Sequence, residues 1–218
     1  MKKFAIALAA LIAAPSAHAV TVALGPGNVG IASIVVTVTG TNINIEETWT
    51  SIAPGSLLIS GLTAGVDYTV TKTIINNTGL TMTRLANELL DPDGNANDSL
   101  DPVPQPGFVP PGFSTSNDFD GLSFAQGSGI PRVSSIWSTV FADELTDARD
   151  FLDFFGGSLA DGASGTVSFG LRDNVGSPGD NQPFLLFQRP NTTSVVPAPA
   201  ALGLFGLGLL FVATRRRG

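Results

Sequence analysis

The chain contains no cysteine, and its single histidine, His18, stands close to the N-terminus. Residues 20–194 therefore offer neither a thiol nor an imidazole. That excludes from this segment a Ser-His-Asp triad, a cysteine nucleophile, a disulfide framework and the usual zinc, haem and iron–sulfur ligand sets. Positive charge is scarce as well. Six basic residues stand against eighteen acidic ones between residues 20 and 194, a formal charge of −12. A phosphate backbone would be repelled, so nucleic acid is not an expected partner. Polar aromatics are few: Trp49, Trp137 and Tyr68. Rings this sparse in a domain of this size read as core rather than as a platform for sugars.

What is concentrated lies at the two ends. Lys2 and Lys3 precede the apolar run 4–14, and Ala17-His18-Ala19 follows. A basic stretch, an apolar stretch and a small-x-small site in that order form a secretory signal peptide. Ala17 and Ala19 satisfy signal peptidase, which is expected to cut between Ala19 and Val20. At the other end, residues 198–213 carry no charge. As a helix they would span roughly 24 Å, against a hydrocarbon core of about 30 Å. Arg215, Arg216 and Arg217 can snorkel to the headgroups and stay on the cytoplasmic side. Val196-Pro197-Ala198-Pro199, the apolar run and the arginine cluster together resemble the PEP-CTERM sorting signal of Gram-negative bacteria, with Ala198 where that family usually has Glu. The resemblance implies recognition and processing by exosortase, a membrane-embedded transpeptidase-like enzyme. It also implies association with exopolysaccharide or the cell surface. The expected division is a signal peptide over 1–19, a folded domain over 20–194 and a sorting signal over 195–218. The expected route is export, transient anchoring in the inner membrane, then the surface or the medium.

The middle reads as β structure. "IVVTVT" near residue 35 and "NINIEETW" over 42–49 are rich in β-branched residues, and Ile43 and Ile45 alternate with polar neighbours. Pro54-Gly55 marks a turn before a short strand at 57–59, and 61–65 makes a further break. Over 66–75, Val66, Tyr68, Val70 and Lys72 share one face. Asn76-Asn77-Thr78-Gly79 predicts a turn after which 80–85 returns as the next strand. Further strands are expected at 121–124, 133–141, 165–171 and 184–188. The segment 143–157 is balanced between a helix and a strand. Residues 88–117 contain six prolines and read as a long strap across the domain, with Phe108 and Phe113 as apolar anchors. Many short strands separated by turns predict an antiparallel β-sandwich, immunoglobulin-like or jelly-roll-like, flanked by an N-terminal signal helix and a C-terminal membrane helix.

Candidate chemistry is thin. Asp91, Asp93 and Asn95 alternate oxygen ligands around Gly94 and could hold Ca²⁺, although the spacing departs from an EF-hand loop and suits an ordinary turn equally. Glu46 with Glu47, and Asp118 with Asp120, are nominal carboxylate pairs for glycoside hydrolysis; neighbours on a strand point to opposite faces, which disfavours the first. Lys72, alone on a threonine-rich strand, reads as exposed. No cofactor is expected. The reading is an exported, non-enzymatic surface or matrix protein, with a carbohydrate-binding or Ca²⁺-dependent lectin-like module as the alternative.

Overall fold

A computed structural model describes residues 19–92, 109–115, 122–143, 150–173 and 182–191. Among the described residues the structure is all-β, with thirteen strands and no helix. The expected signal helix and membrane helix lie outside them. The strands are β1 (Thr21–Leu24), β2 (Ile31–Thr39), β3 (Asn42–Trp49), β4 (Gly55–Ser60), β5 (Asp67–Asn76), β6 (Leu85–Pro92), β7 (Phe113–Thr115), β8 (Leu122–Ser123), β9 (Val133–Ser134), β10 (Trp137–Asp143), β11 (Phe151–Gly157), β12 (Ser164–Asp173) and β13 (Phe184–Pro190). The first sheet runs β1-β4-β13-β6-β11-β10, with β7 beside the end of β6; the second runs β2-β3-β5-β12, with β8 and β9 beside β12. All pairs are antiparallel except β3–β5, which is parallel. The two sheets pack face to face as a sandwich.

The period of two in the sequence becomes the burial pattern. Ile43, Ile45, Glu47 and Trp49 of β3 point inward, as do Tyr68, Val70, Lys72, Ile74 and Asn76 of β5. Leu57 and Ile59 of β4, Leu85 and Leu89 of β6, Leu152 and Phe154 of β11, and Leu186 of β13 meet them from the first sheet. The first sheet is covered on its other side too. Leu90, Leu185 and Phe187 form a second apolar cluster there, against which Leu58, Val109 and Phe113 pack. Of the strap expected over 88–117, residues 88–92 belong to β6 and 113–115 form β7, paired with β6; Val109 and Phe113 pack on this face, and Phe108 lies outside the described residues. On the same face Arg189 bonds Glu88 at 2.7 Å, both buried.

Several expectations are corrected. Residues 80–84 do not form a strand after the turn. Asn76 Nδ2 donates to the carbonyls of Leu80 (2.8 Å) and Leu159 (2.9 Å), and Asn76 Oδ1 accepts from Thr78 Oγ1 (2.7 Å). These bonds lead the chain out of the second sheet; Met82 then makes an isolated bridge with Leu159, between β11 and β12, and β6 joins the first sheet. The expected strand at 133–141 breaks in two for a similar reason. Ser134 Oγ accepts from the amides of Ile136 (3.0 Å) and Trp137 (3.1 Å), and the chain switches sheets there. The segment balanced between helix and strand is strand over 151–157. Pro92 belongs to β6 rather than to a loop, at the last paired position, where the ladder does not need its missing N–H.

The flanks of the domain sit at opposite ends. β1 and β13 both lie antiparallel to β4, so they run in the same direction. The chain enters beside Ser60 and leaves beyond Gln188, opposite Gly55.

Phe169, fully buried and edge-on to Phe124 at 5.5 Å, is a core element of β12. Phe169→Ala is expected to cost about 3–5 kcal/mol. Val35→Thr, at a position 62% exposed, should change stability by less than about 0.5 kcal/mol. Urea unfolding of both variants checks the contrast.

Candidate functional site

Four polar side chains meet in the middle of the sandwich. Lys72 of β5 and Glu47 of β3 descend from the second sheet; Asn87 of β6 and Gln188 of β13, directly paired in register, rise from the first. All four are completely buried. Lys72 Nζ is 3.3 Å from Glu47 Oε1 and donates to Asn87 Oδ1 (3.2 Å) and to Gln188 Oε1. Gln188 Nε2 donates to Glu47 Oε1 (2.8 Å), and Trp49 Nε1 donates to Glu47 Oε2 (3.1 Å). Asn87 Nδ2 donates to the Leu85 carbonyl (3.3 Å). Each charge is thereby paired and hydrogen-bonded, as burial requires. Burial pushes the Lys72 amine below its ordinary pKa, against the opposing pull of the Glu47 carboxylate.

The surrounding sequence explains why the cluster assembles. A Cβ on Gly55, the residue opposite Gln188, would come within 2.5 Å of the Trp49 ring, and one on Gly30 within 2.7 Å. Two glycines therefore make the slot that seats Trp49, and Trp49 orients Glu47. Lys72, expected to be exposed, is instead at the centre of the core. Its signal was present: it falls in phase with Tyr68 and Val70, as Glu47 does with Ile43 and Ile45, and Gln188 with Phe184 and Leu186. Sequence reading missed the set because it treated charge as evidence of exposure and could not bring four distant strands together. As expected, Glu46 and Glu47 point to opposite faces, which separates that carboxylate pair.

The outer face of the second sheet is different in kind. The cross-strand row Thr37–Asn44–Thr71–Ser168 lies beside Thr39–Asn42–Thr69 on one side and Val35–Glu46–Thr73–Thr166 on the other. These side chains are exposed or half-buried, and Glu46 is the one ionisable group among them. Where Gly170 would continue the face, Ala125 and Ile130 pack over it. They belong to a shallow groove lined also by Gln126, Gly127 and Arg132. The face is an array of hydroxyls and amides with Val35 and Glu46 among them, and beyond Gly170 it carries the Arg172–Asp67 ion pair at 3.4 Å.

The other sequence candidates fall as follows. Trp49, Trp137 and Tyr68 are all buried, in line with the core reading. Asp91 is buried in β6 and accepts from Ser114 Oγ at 3.1 Å; Asp93 and Asn95 lie outside the described residues, as do Asp118 and Asp120. Among the described residues no group of three or more His, Cys, Asp or Glu is placed to hold a metal ion. Ala19 is exposed and Val20 packs against the main core, one residue ahead of β1; Ala17 lies outside the described residues. So do Val196, Pro197, Ala198, Pro199, Arg215, Arg216 and Arg217.

Removing the Lys72 side chain would leave Glu47, Asn87 and Gln188 buried without the group that joins them. Lys72→Ala is expected to cost about 3–5 kcal/mol. Denaturant titration reads the loss, and a variant as stable as the parent would refute the role given to the cluster.

Residues 195–217 match the family model described as the PEP-CTERM protein-sorting motif. No curated protein and no solved structure matches the chain. The motif supports an exosortase-sorted extracellular protein of a Gram-negative bacterium.

Proposed function

We propose that residues 20–194 form a non-enzymatic surface or matrix domain, exported behind residues 1–19 and associated with exopolysaccharide after its tail is processed. Signal peptidase would free Val20, and the apolar run before Arg215-Arg216-Arg217 would hold the product in the inner membrane until an exosortase-like enzyme acts at 195–199. The sorting motif carries the reading of destination. The opposed positions of the two chain ends suit it. A domain tethered beyond Asn191 would have its Val20 end at the far end of the first sheet from the tether.

Association with a polysaccharide rests on the outer face of the second sheet. Hydroxyls of Thr37, Thr71, Thr73 and Ser168, with the amides of Asn42 and Asn44, offer both donors and acceptors across one broad surface. Neutral groups of this kind can exchange hydrogen bonds with sugar hydroxyls without the desolvation cost of charges.

Two measurements test the reading. Pro197→Ala with Pro199→Ala should deplete the extracellular product several-fold and leave an unclipped precursor in the membrane fraction, read by intact mass. Unchanged release would remove the sorting step. Asn44→Ala with Thr71→Val and Thr73→Val should be released normally yet lose several-fold in co-sedimentation with the host exopolysaccharide. Equal co-sedimentation would remove the role of this face.

A further inference from the structure

The buried cluster places a nucleophile, an acyl group and a proton carrier in mutual contact. Lys72 Nζ lies against the side-chain carbonyl of Gln188. Glu47 Oε1 is 3.3 Å from that amine and 2.8 Å from Gln188 Nε2. A single carboxylate oxygen therefore touches both the nitrogen that would attack and the nitrogen that would leave. The side chains of Lys72, Glu47 and Gln188 are each 0% exposed. Water is thus kept from competing for the carbonyl.

We propose that Lys72 and Gln188 join in an intramolecular isopeptide bond, with Glu47 as the proton carrier. The neutral amine adds its lone pair to Gln188 Cδ, forming a C–N bond. Glu47 accepts the proton shed by Nζ and passes it to Nε2. The Cδ–Nε2 bond then breaks, ammonia departs, and the carboxylate is regenerated. Amine plus primary amide becomes secondary amide plus ammonia, so no oxidant, reductant or metal is consumed. Burial favours the free-base form of Lys72 that the first step needs.

Asn87 is the competing acceptor, and the geometry disfavours it. Its oxygen accepts from the amine at 3.2 Å, but its nitrogen donates to the Leu85 carbonyl rather than to Glu47. Asn87 is a positioning residue that aims the amine. The bond would link positions 116 residues apart and fasten one sheet to the other. In a chain without cysteine it would take the place that a disulfide holds in other exported domains.

The test uses the full-length chain expressed in an exporting host, purified and held at neutral pH before denaturation. Its mass should be about 17 Da below the sequence mass between its observed termini, one ammonia lost per chain. Tandem mass spectrometry should recover a branched peptide joining Lys72 to Gln188. Glu47→Gln, folded by circular dichroism, should show the full mass and two separate peptides. Asn87→Ala should slow the loss of ammonia without moving the link. An unmodified mass in the folded wild type overturns the proposal. So does an ammonia loss that maps to Asn87 or to any other residue. A Glu47→Gln chain that links as completely as the parent overturns the role of the carboxylate.

Discussion

The architecture turns on a lysine placed where water cannot reach it. Lys72 sits at the midplane of a sandwich whose other inward residues are mostly aliphatic or aromatic. A bare ammonium there would be too costly to keep, so its partners must arrive from both sheets at once. Glu47 comes from a neighbouring strand of the same sheet, and Asn87 and Gln188 from the opposite one. Sheet-to-sheet registration is thereby specified more tightly than apolar packing alone would require. A slip of β13 by one residue would replace Gln188 with Arg189 or Phe187 and leave Lys72 and Glu47 without the amide they share.

The parallel β3–β5 pair serves the same end. β3 and β5 are joined through β4, which belongs to the other sheet, so the chain crosses the sandwich before returning. That crossing brings Glu47 and Lys72 alongside one another on one face, with Ile74 and Ile45 as their respective register partners. Gly55, at the start of β4, leaves room for Trp49, and the indole N–H holds the second carboxylate oxygen. The cluster is a property of topology: no two of its four members are closer in sequence than the 15 residues between Lys72 and Asn87.

The sandwich also keeps its two faces distinct. The first sheet is covered on both sides, with Val109 and Phe113 lying on Leu90, Leu185 and Phe187. The second sheet is covered on one side and presents threonine, serine and asparagine on the other. The proposed polymer contact and the proposed tail processing would thus fall on separate parts of the chain. The face at issue is built from β2, β3, β5 and β12, whereas the sorting segment follows β13 in the other sheet.

By itself the sequence determined the all-β class, most strand positions and the sorting tail. Those signals are local: a period of two, a turn dipeptide, or a proline motif followed by apolar residues and arginines is complete within a short window. It also put Lys72 in phase with the buried face of its strand, although charge argued against that reading. Only the tertiary structure decided that 80–84 would leave the sheet, that β3 and β5 would run parallel, and that Lys72 would be met by Glu47, Asn87 and Gln188. Those outcomes depend on which strands pair across long stretches of chain. Pairing is settled by the joint burial of both sheets, a balance that no single window of residues contains.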